Sequence, residues 1–324
     1  MPTAKKLKIN SDFLRMLVIL VVFIILATVT SGSNFMSVVS FQTMAKQLTE
    51  YGLMSIALAM AMITGGIDLS TVYIANMCGA IASLTMSTIA PEGQAFGILV
   101  ACVLALVIGL CCGALNGILV SVVGVPPMLA TLGTYELFSG ITIVLSNGQS
   151  IQVIPQFTVF ATLDILGIPL PFIVFVVMAI LFSILLGKTA FGRRVHLVGV
   201  NSKASRFAGI NNEKTVTMAY TLGGLLCAIA GLISLSRVSS VKADFGSSYV
   251  MMTILIAVLG GCNPAGGWGE IPGVATAVLV LQVISQWLTA IPWINGYYRQ
   301  ALYGVLLLGF MTYKFYRDKN KGRR

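Results

Sequence analysis

Charge is scarce in this sequence: of 324 residues, 20 are lysine or arginine and 10 are aspartate or glutamate. A soluble domain carries roughly a quarter of its residues charged, so a water-soluble fold is excluded. Histidine occurs once, at His196, which rules out a histidine-based metal cluster or a catalytic arrangement built on several imidazoles. The six cysteines, at 78, 102, 111, 112, 227 and 262, lie mostly inside apolar runs without metal-type spacing and read as packing residues. A phosphate-binding loop is also missing. Gly187, Lys188 and Thr189 form a GKT string, but Phe182 stands where such a loop needs glycine. No nucleophile, base and metal constellation appears, so a membrane enzyme is set aside and no catalytic or metal-binding residue is expected.

What is present is apolar sequence. Hydrophobic residues make up 57% of the chain and the mean hydropathy is +0.94, the signature of an all-α polytopic membrane protein. Apolar runs at 13–30, 50–64, 71–90, 95–124, 128–146, 170–187, 214–236, 248–262, 271–291 and 297–315 predict about ten transmembrane helices, those at 50–64 and 248–262 short for a bilayer. The net charge of +10 gathers at Lys5 to Arg15, Lys188 to Lys214 and Lys314 to Arg324. Basic residues stay on the cytoplasmic side because moving them across is unfavourable, so both termini and the central loop are expected there. Span parity agrees. Residues 1–324 then form a single transmembrane domain with a cytoplasmic loop at about 188–213.

Lys5, Lys6 and Lys8 before an apolar core resemble a signal peptide, but the run continues for a full span and Ala27 to Ser33 lacks a small-x-small cleavage site; a retained first span is expected. Phe35 to Gln47, with Lys46, reads as an interfacial helix leading into the second span. Asn147 to Gly167 is the longest outer loop, polar and open to whatever delivers a substrate.

Two glycine-rich interruptions follow similar runs, AMAMITGG and LIAVLGG. The first is Gly65, Gly66, Ile67, Asp68, Leu69 and Ser70; the second begins at Gly260, Gly261, Cys262 and Asn263. Such breaks in matching places of two halves point to duplication with broken helices around a translocation path, or else mark turns between ordinary spans. Asp68 reads either as a cap for the next helix, supported by Ser70, or as part of the path. Glu136 falls near the middle of an apolar run, where an ionised carboxylate costs about 3 kcal/mol, so it must face a cavity, pair with a base or carry a proton. Gly109, Gly113 and Gly117 share one helical face and predict close helix packing within the bundle or across a dimer.

The phrases GGIDLS (65–70), NGILV (116–120), PPMLATLGT (126–134), TAFGRRVHLVGVNSKASRFAGI (189–210) and LGGCNPAGGWGEIPG (259–273) occur in series over nearly the whole chain. In that order they resemble the permease subunit of the ribose-type ATP-binding-cassette sugar importers, whose family includes the autoinducer-2 branch. The chain departs from the family phrases at Thr71, Val72 and Tyr73, at Ser139 with Glu136 nearby, and at Cys262 to Ala265.

The resemblance implies a bacterial inner-membrane permease that moves a monosaccharide or related small polar solute inward by alternating access. Its partners would be a cytoplasmic ATPase holding ATP and Mg, a second permease, identical or different, and a periplasmic or lipid-anchored substrate-binding protein; the chain itself would bind no cofactor and no nucleic acid. Phe191, Gly192, Arg193, Gly199, Asn201, Ala204 and Gly209 match the family's ATPase-coupling phrase, with Arg194 and Arg206 as further cations toward acidic or carbonyl partners. The competing expectation is a gradient-driven carrier of a small solute using Asp68 and Glu136. It leaves the basic loop unexplained.

Overall fold

The computed structural model describes residues 11–290 except 36, together with 301, 303–305, 308–309 and 312. The basic N-terminal lysines, most of the expected 297–315 span and the C-terminal basic cluster lie outside the described residues, and so does any placement of the termini.

The described chain is a helical bundle: α1 (Ser11–Phe35), α2 (Val38–Ile63), α3 (Thr71–Ile89), α4 (Ala95–Ile118), α5 (Pro127–Ser146), α6 (Pro155–Thr162), α7 (Leu170–Lys188), α8 (Ala190–Val200), α9 (Ser202–Phe207), α10 (Asn212–Val238), α11 (Tyr249–Leu259) and α12 (Ile271–Ala290). Among the described residues six helices are long and apolar enough to cross a membrane: α3, α4 with its continuation to Val123, α5, α7, α10 and α12. The apolar stretch 16–30 within α1 and the eleven-residue α11 are shorter.

The expected interfacial helix is absent. α2 runs unbroken from Val38 to Ile63, because polar groups that argued against a span find partners. Lys46 lies 3.8 Å from Asp164, Gln42 donates to Asp164 at 3.1 Å, and Gln282 donates to Gln47 at 3.2 Å; further along α2, Arg237 meets Glu50. A helix can hold such residues inside a bundle when neighbouring elements satisfy them.

α10 is the central helix, packed on α4, α2 and α3. The α4 glycine series makes this possible. A Cβ at Gly109 would lie 2.6 Å from the Gly224 carbonyl, one at Gly113 2.9 Å from Thr221 Cα, and one at Gly117 2.6 Å from Thr217 Cα. The motif therefore serves contact inside this chain, where two backbones approach too closely for any side chain.

Two short antiparallel pairings decorate one end of the bundle. Strand β1 (Ile151–Gln152) pairs with β4 (Ser240–Val241), and β2 (Asp164–Ile165) with β3 (Ile168–Pro169). The loop that looked open in sequence is anchored here. It contains α6 with Phe157 and Ala161 buried, and Ser236 accepts from the Ala161 amide at 3.0 Å while donating to the Phe157 carbonyl at 2.8 Å. Buried Asn76 on α3 donates to the carbonyls of Ala243 (3.1 Å) and Phe245 (2.8 Å), fixing the segment before α11.

Candidate functional site

The opposite end of the bundle carries Lys188, Arg193, Arg194, Lys203, Arg206 and Lys214. Three successive helix starts shape it, each with a side-chain cap. Thr189 Oγ1 accepts from the Gly192 amide at 3.3 Å, Asn201 Oδ1 accepts from the Lys203 and Ala204 amides at 3.0 Å each, and Asn211 Oδ1 accepts from the Lys214 amide at 2.8 Å. The basic loop is thus a rigid pair of helices, α8 and α9, between α7 and α10.

Each residue expected for coupling takes a definite place. Gly192 is buried against the Leu186 backbone, and half-buried Gly199 abuts the Ile63 carbonyl. Phe191 is half-buried against the core, Asn201 is the α9 cap, and Gly209 has φ +79° in the turn that ends α9. Arg193, Arg194 and Ala204 are exposed. Arg206 is engaged within the chain, donating to Glu213 at 2.6 Å. The most exposed apolar side chain of the loop is Phe207, 93% accessible.

Both glycine interruptions converge on α8. α2 and α11 end in the same Schellman turn. Gly65 (φ +96°) donates to Met62 at 3.0 Å and Gly66 to Ala61 at 3.0 Å; Gly261 (φ +95°) donates to Val258 at 3.1 Å and Cys262 to Ala257 at 2.9 Å. The two turns then touch. A Cβ at Gly266 would lie 2.8 Å from the Gly199 carbonyl and 2.8 Å from Gly65 Cα. The Gly267 amide donates to the Ile63 carbonyl at 2.8 Å, and its own carbonyl is 3.1 Å from His196 Nδ1. His196 is therefore a tie between α8 and the second turn, where its place in a basic loop had suggested a surface role.

From the first turn the contacts pass to α5. Thr131 Oγ1 donates to the Ile67 carbonyl at 3.0 Å, and a Cβ at Gly66 would lie 2.9 Å from Pro127. Asp68 is buried beside this junction. Its Oδ1 accepts from the Ser70 amide (2.9 Å) and the Ser70 hydroxyl (2.6 Å), and Asn116 on α4 donates to Ser70 Oγ at 2.7 Å. Asp68 therefore forms the turn and does not cap α3. The residue at the cap position is Ser70, without a side-chain capping bond. Asn116 Oδ1, Thr71 Oγ1 and Tyr220 Oη are buried here without a partner among the described residues.

Glu136 lies on an exposed face of α5 with Leu129, Leu132 and Gly133, and a Cβ at Gly133 or Gly140 would meet nothing within 4 Å. One residue away, Tyr135 packs edge-on against Tyr73 with ring centroids 4.0 Å apart. The departure at Tyr73 thus packs against the α5 residue next to Glu136. A flank cavity of about 410 Å³ between α1, α2, α7 and α12, lined by residues such as Ile24, Phe41, Met44 and Phe172, is almost wholly apolar and unsuited to a polar solute. The described residues contain no group of three His, Cys, Asp or Glu placed to hold a metal.

Sequence reasoning missed Glu50, Arg237, Gln282 and Trp268. Glu50 and Gln282 had a signal as polar side chains within apolar runs, and Arg237 as a charge directly at the end of one.

A helical bundle of this kind, with six helices long and apolar enough to cross a membrane among the described residues, is the build of a polytopic membrane protein. Residues 40–311, which take in nearly all of α2 and every later described helix, match the family described as "Branched-chain amino acid transport system / permease component". The chain belongs to this permease family, as a transport subunit of the ATP-binding-cassette import type in the autoinducer-2-like branch and a multi-pass protein of the bacterial inner membrane. It is 34% identical over 264 residues to the autoinducer 2 import system permease protein LsrD of Yersinia enterocolitica, covering 79% of this chain and 78% of that one. It is likewise 34% identical over 264 residues to the LsrD proteins of Photorhabdus temperata and Yersinia pseudotuberculosis, covering 79% of this chain and 77% of each of them. No solved structure matches the chain.

Proposed function

We propose that this chain is one of two membrane-spanning subunits of a binding-protein-dependent importer driven by a separate ATPase. The observation that carries the reading is the meeting of α8 with both glycine turns through Gly199, His196, Gly266 and Gly267. A force applied at α8 reaches the Gly65–Ser70 turn directly and α5 through Thr131 and Pro127. Packed elements of this kind move as bodies, so docking at α8 re-aims α5.

The exposed α5 face then borders the path, facing a second permease. Glu136 in a span belongs against protein or water, since lipid contact would cost about 3 kcal/mol. ATP and Mg reside on the ATPase, and a periplasmic or lipid-anchored protein delivers the solute. The solute class is a small polar sugar: a monosaccharide, or the sugar-derived autoinducer 2 that the relatives are named for. The gradient-driven reading is weaker because Asp68 is occupied by two bonds to Ser70 and sits on a different element from Glu136.

The test replaces Arg193 and Arg194 with alanine in the reconstituted transporter and measures uptake and ATP hydrolysis together. Uptake falling at least tenfold while the complex still hydrolyses ATP supports coupling through α8. Unchanged uptake in an intact assembly overturns it.

A further inference from the structure

At the basic end, the second glycine turn holds Trp268 72% exposed. The backbone around it is fixed on every side. Asn263 N donates to the Trp268 carbonyl at 2.9 Å, Gly266 N donates to the Asn263 carbonyl at 2.9 Å, and Asn263 Nδ2 donates to the Gly266 carbonyl at 3.2 Å. The preceding residue, Gly267, is tied to Ile63 and His196 and lies so close to Val200 of α8 that a Cβ there would be 3.0 Å from Val200 Cα. The indole is thus mounted on a rigid turn seated on the coupling helix.

The α8 helix beneath it exposes Leu197 at 53% and Val200 at 62%, the latter against Gly267, and carries exposed Arg193 and Arg194, while Glu270, two residues past Trp268, is an exposed acid. An exposed tryptophan carried on the same rigid unit as exposed aliphatic side chains and arginines offers the residue types that anchor protein interfaces.

We propose that Trp268 is a second docking point for the ATPase, inserted into an apolar pocket beside the acidic-rimmed groove that receives α8. The inference rests on the coupling reading of α8 and adds a contact from a segment about seventy residues further along the chain, roughly the separation from Val200 to Trp268. The occupant is a protein with a groove of negative rim and apolar floor, because α8 exposes two arginines while Trp268, Val200 and Leu197 expose apolar surface on the same helix–turn unit. Two mounts on one helix–turn unit would also let the ATPase hold the second turn and α8 in a single orientation, so that both glycine turns move together.

The experiment places the photoreactive residue p-benzoylphenylalanine at position 268, at 197 and, as a control on an exposed face within a span, at Val107 of α4, each in the full chain in native membranes. Adducts are identified by mass spectrometry. The proposal expects positions 197 and 268 to capture the same Walker-motif ATPase and position 107 to capture none. A crosslink from 197 alone overturns the Trp268 contact and leaves coupling through α8 standing. No ATPase at either position overturns both. Position 268 captured on phospholipid instead marks Trp268 as an interfacial anchor and overturns the proposal. As a second readout, Trp268→Ala weakens ATPase retention on the purified permease by about thirtyfold, the range of an interface hot spot, and Trp268→Phe restores most of it. Equal retention by the alanine variant, with the helical content unchanged, overturns the contact.

Discussion

Arg237, in the last turn of α10, donates through both Nε and Nη2 to the two carboxylate oxygens of Glu50 in α2, the Nη2–Oε2 bond being 3.0 Å. Glu50 has no solvent exposure, so the pair bridges the central helix and its neighbour as a bidentate contact. Removing one partner strands the other charge. Glu50→Ala and Arg237→Ala are each expected to destabilise the fold by about 3–5 kcal/mol, and the double variant by less than their sum. Thermal unfolding of the four proteins in one detergent checks this; additive losses would show that the pair is not a coupled unit.

The α4–α10 crossing predicts a sharp asymmetry between glycines. Gly224→Ala drives a methyl group into the Gly109 carbonyl and to 2.9 Å from Gly113 Cα, where only backbone can yield, whereas Gly133→Ala enters open space. Gel filtration should show the first variant lost to aggregation and the second recovered at wild-type yield. Equal yields would mean that α4 and α10 do not approach so closely.

Asp68 offers a test that separates turn from path. Asparagine keeps an oxygen for the Ser70 amide and hydroxyl, and alanine keeps nothing. Asp68→Asn should retain most uptake, while Asp68→Ala should lose about 1–3 kcal/mol of stability through the stranded Ser70 amide and hydroxyl. Loss of uptake in a fully stable Asp68→Asn protein would instead return the carboxylate to an ion-coupled role.

Much of this was readable in the chain. The basic phrase from Thr189 to Ile210 announces an exposed element between apolar runs, and its capping residues Thr189 and Asn201 stand in plain sight. The two GG phrases announced matching breaks, and the α4 glycines announced close packing. What the sequence hid is tertiary. Gln42, Lys46, Gln47 and Glu50 dilute the apolar run of α2, and only their distant partners at Asp164, Gln282 and Arg237 show that the helix continues through them. Asp68 before Ser70 looks like a helix cap until its hydrogen bonds close on Ser70 itself. Trp268 reads as one more apolar residue until the turn that carries it is seen against Val200.

Glu136 extends the account to the path. Within this chain its carboxylate faces outward from α5, so Glu136→Leu should leave thermal stability within about 0.5 kcal/mol of wild type while cutting uptake at least tenfold. Uptake unchanged by the leucine would place the path elsewhere.

The claim beneath all of these is that another polypeptide supplies the energy. Purification of the chain from its native membranes in mild detergent, with every stoichiometric partner identified by mass spectrometry, tests it most directly. The account predicts a Walker-motif ATPase, alone or with a second permease. Recovery of the chain by itself across several detergents, with solute uptake that follows an imposed proton or sodium gradient and ignores ATP, would contradict it.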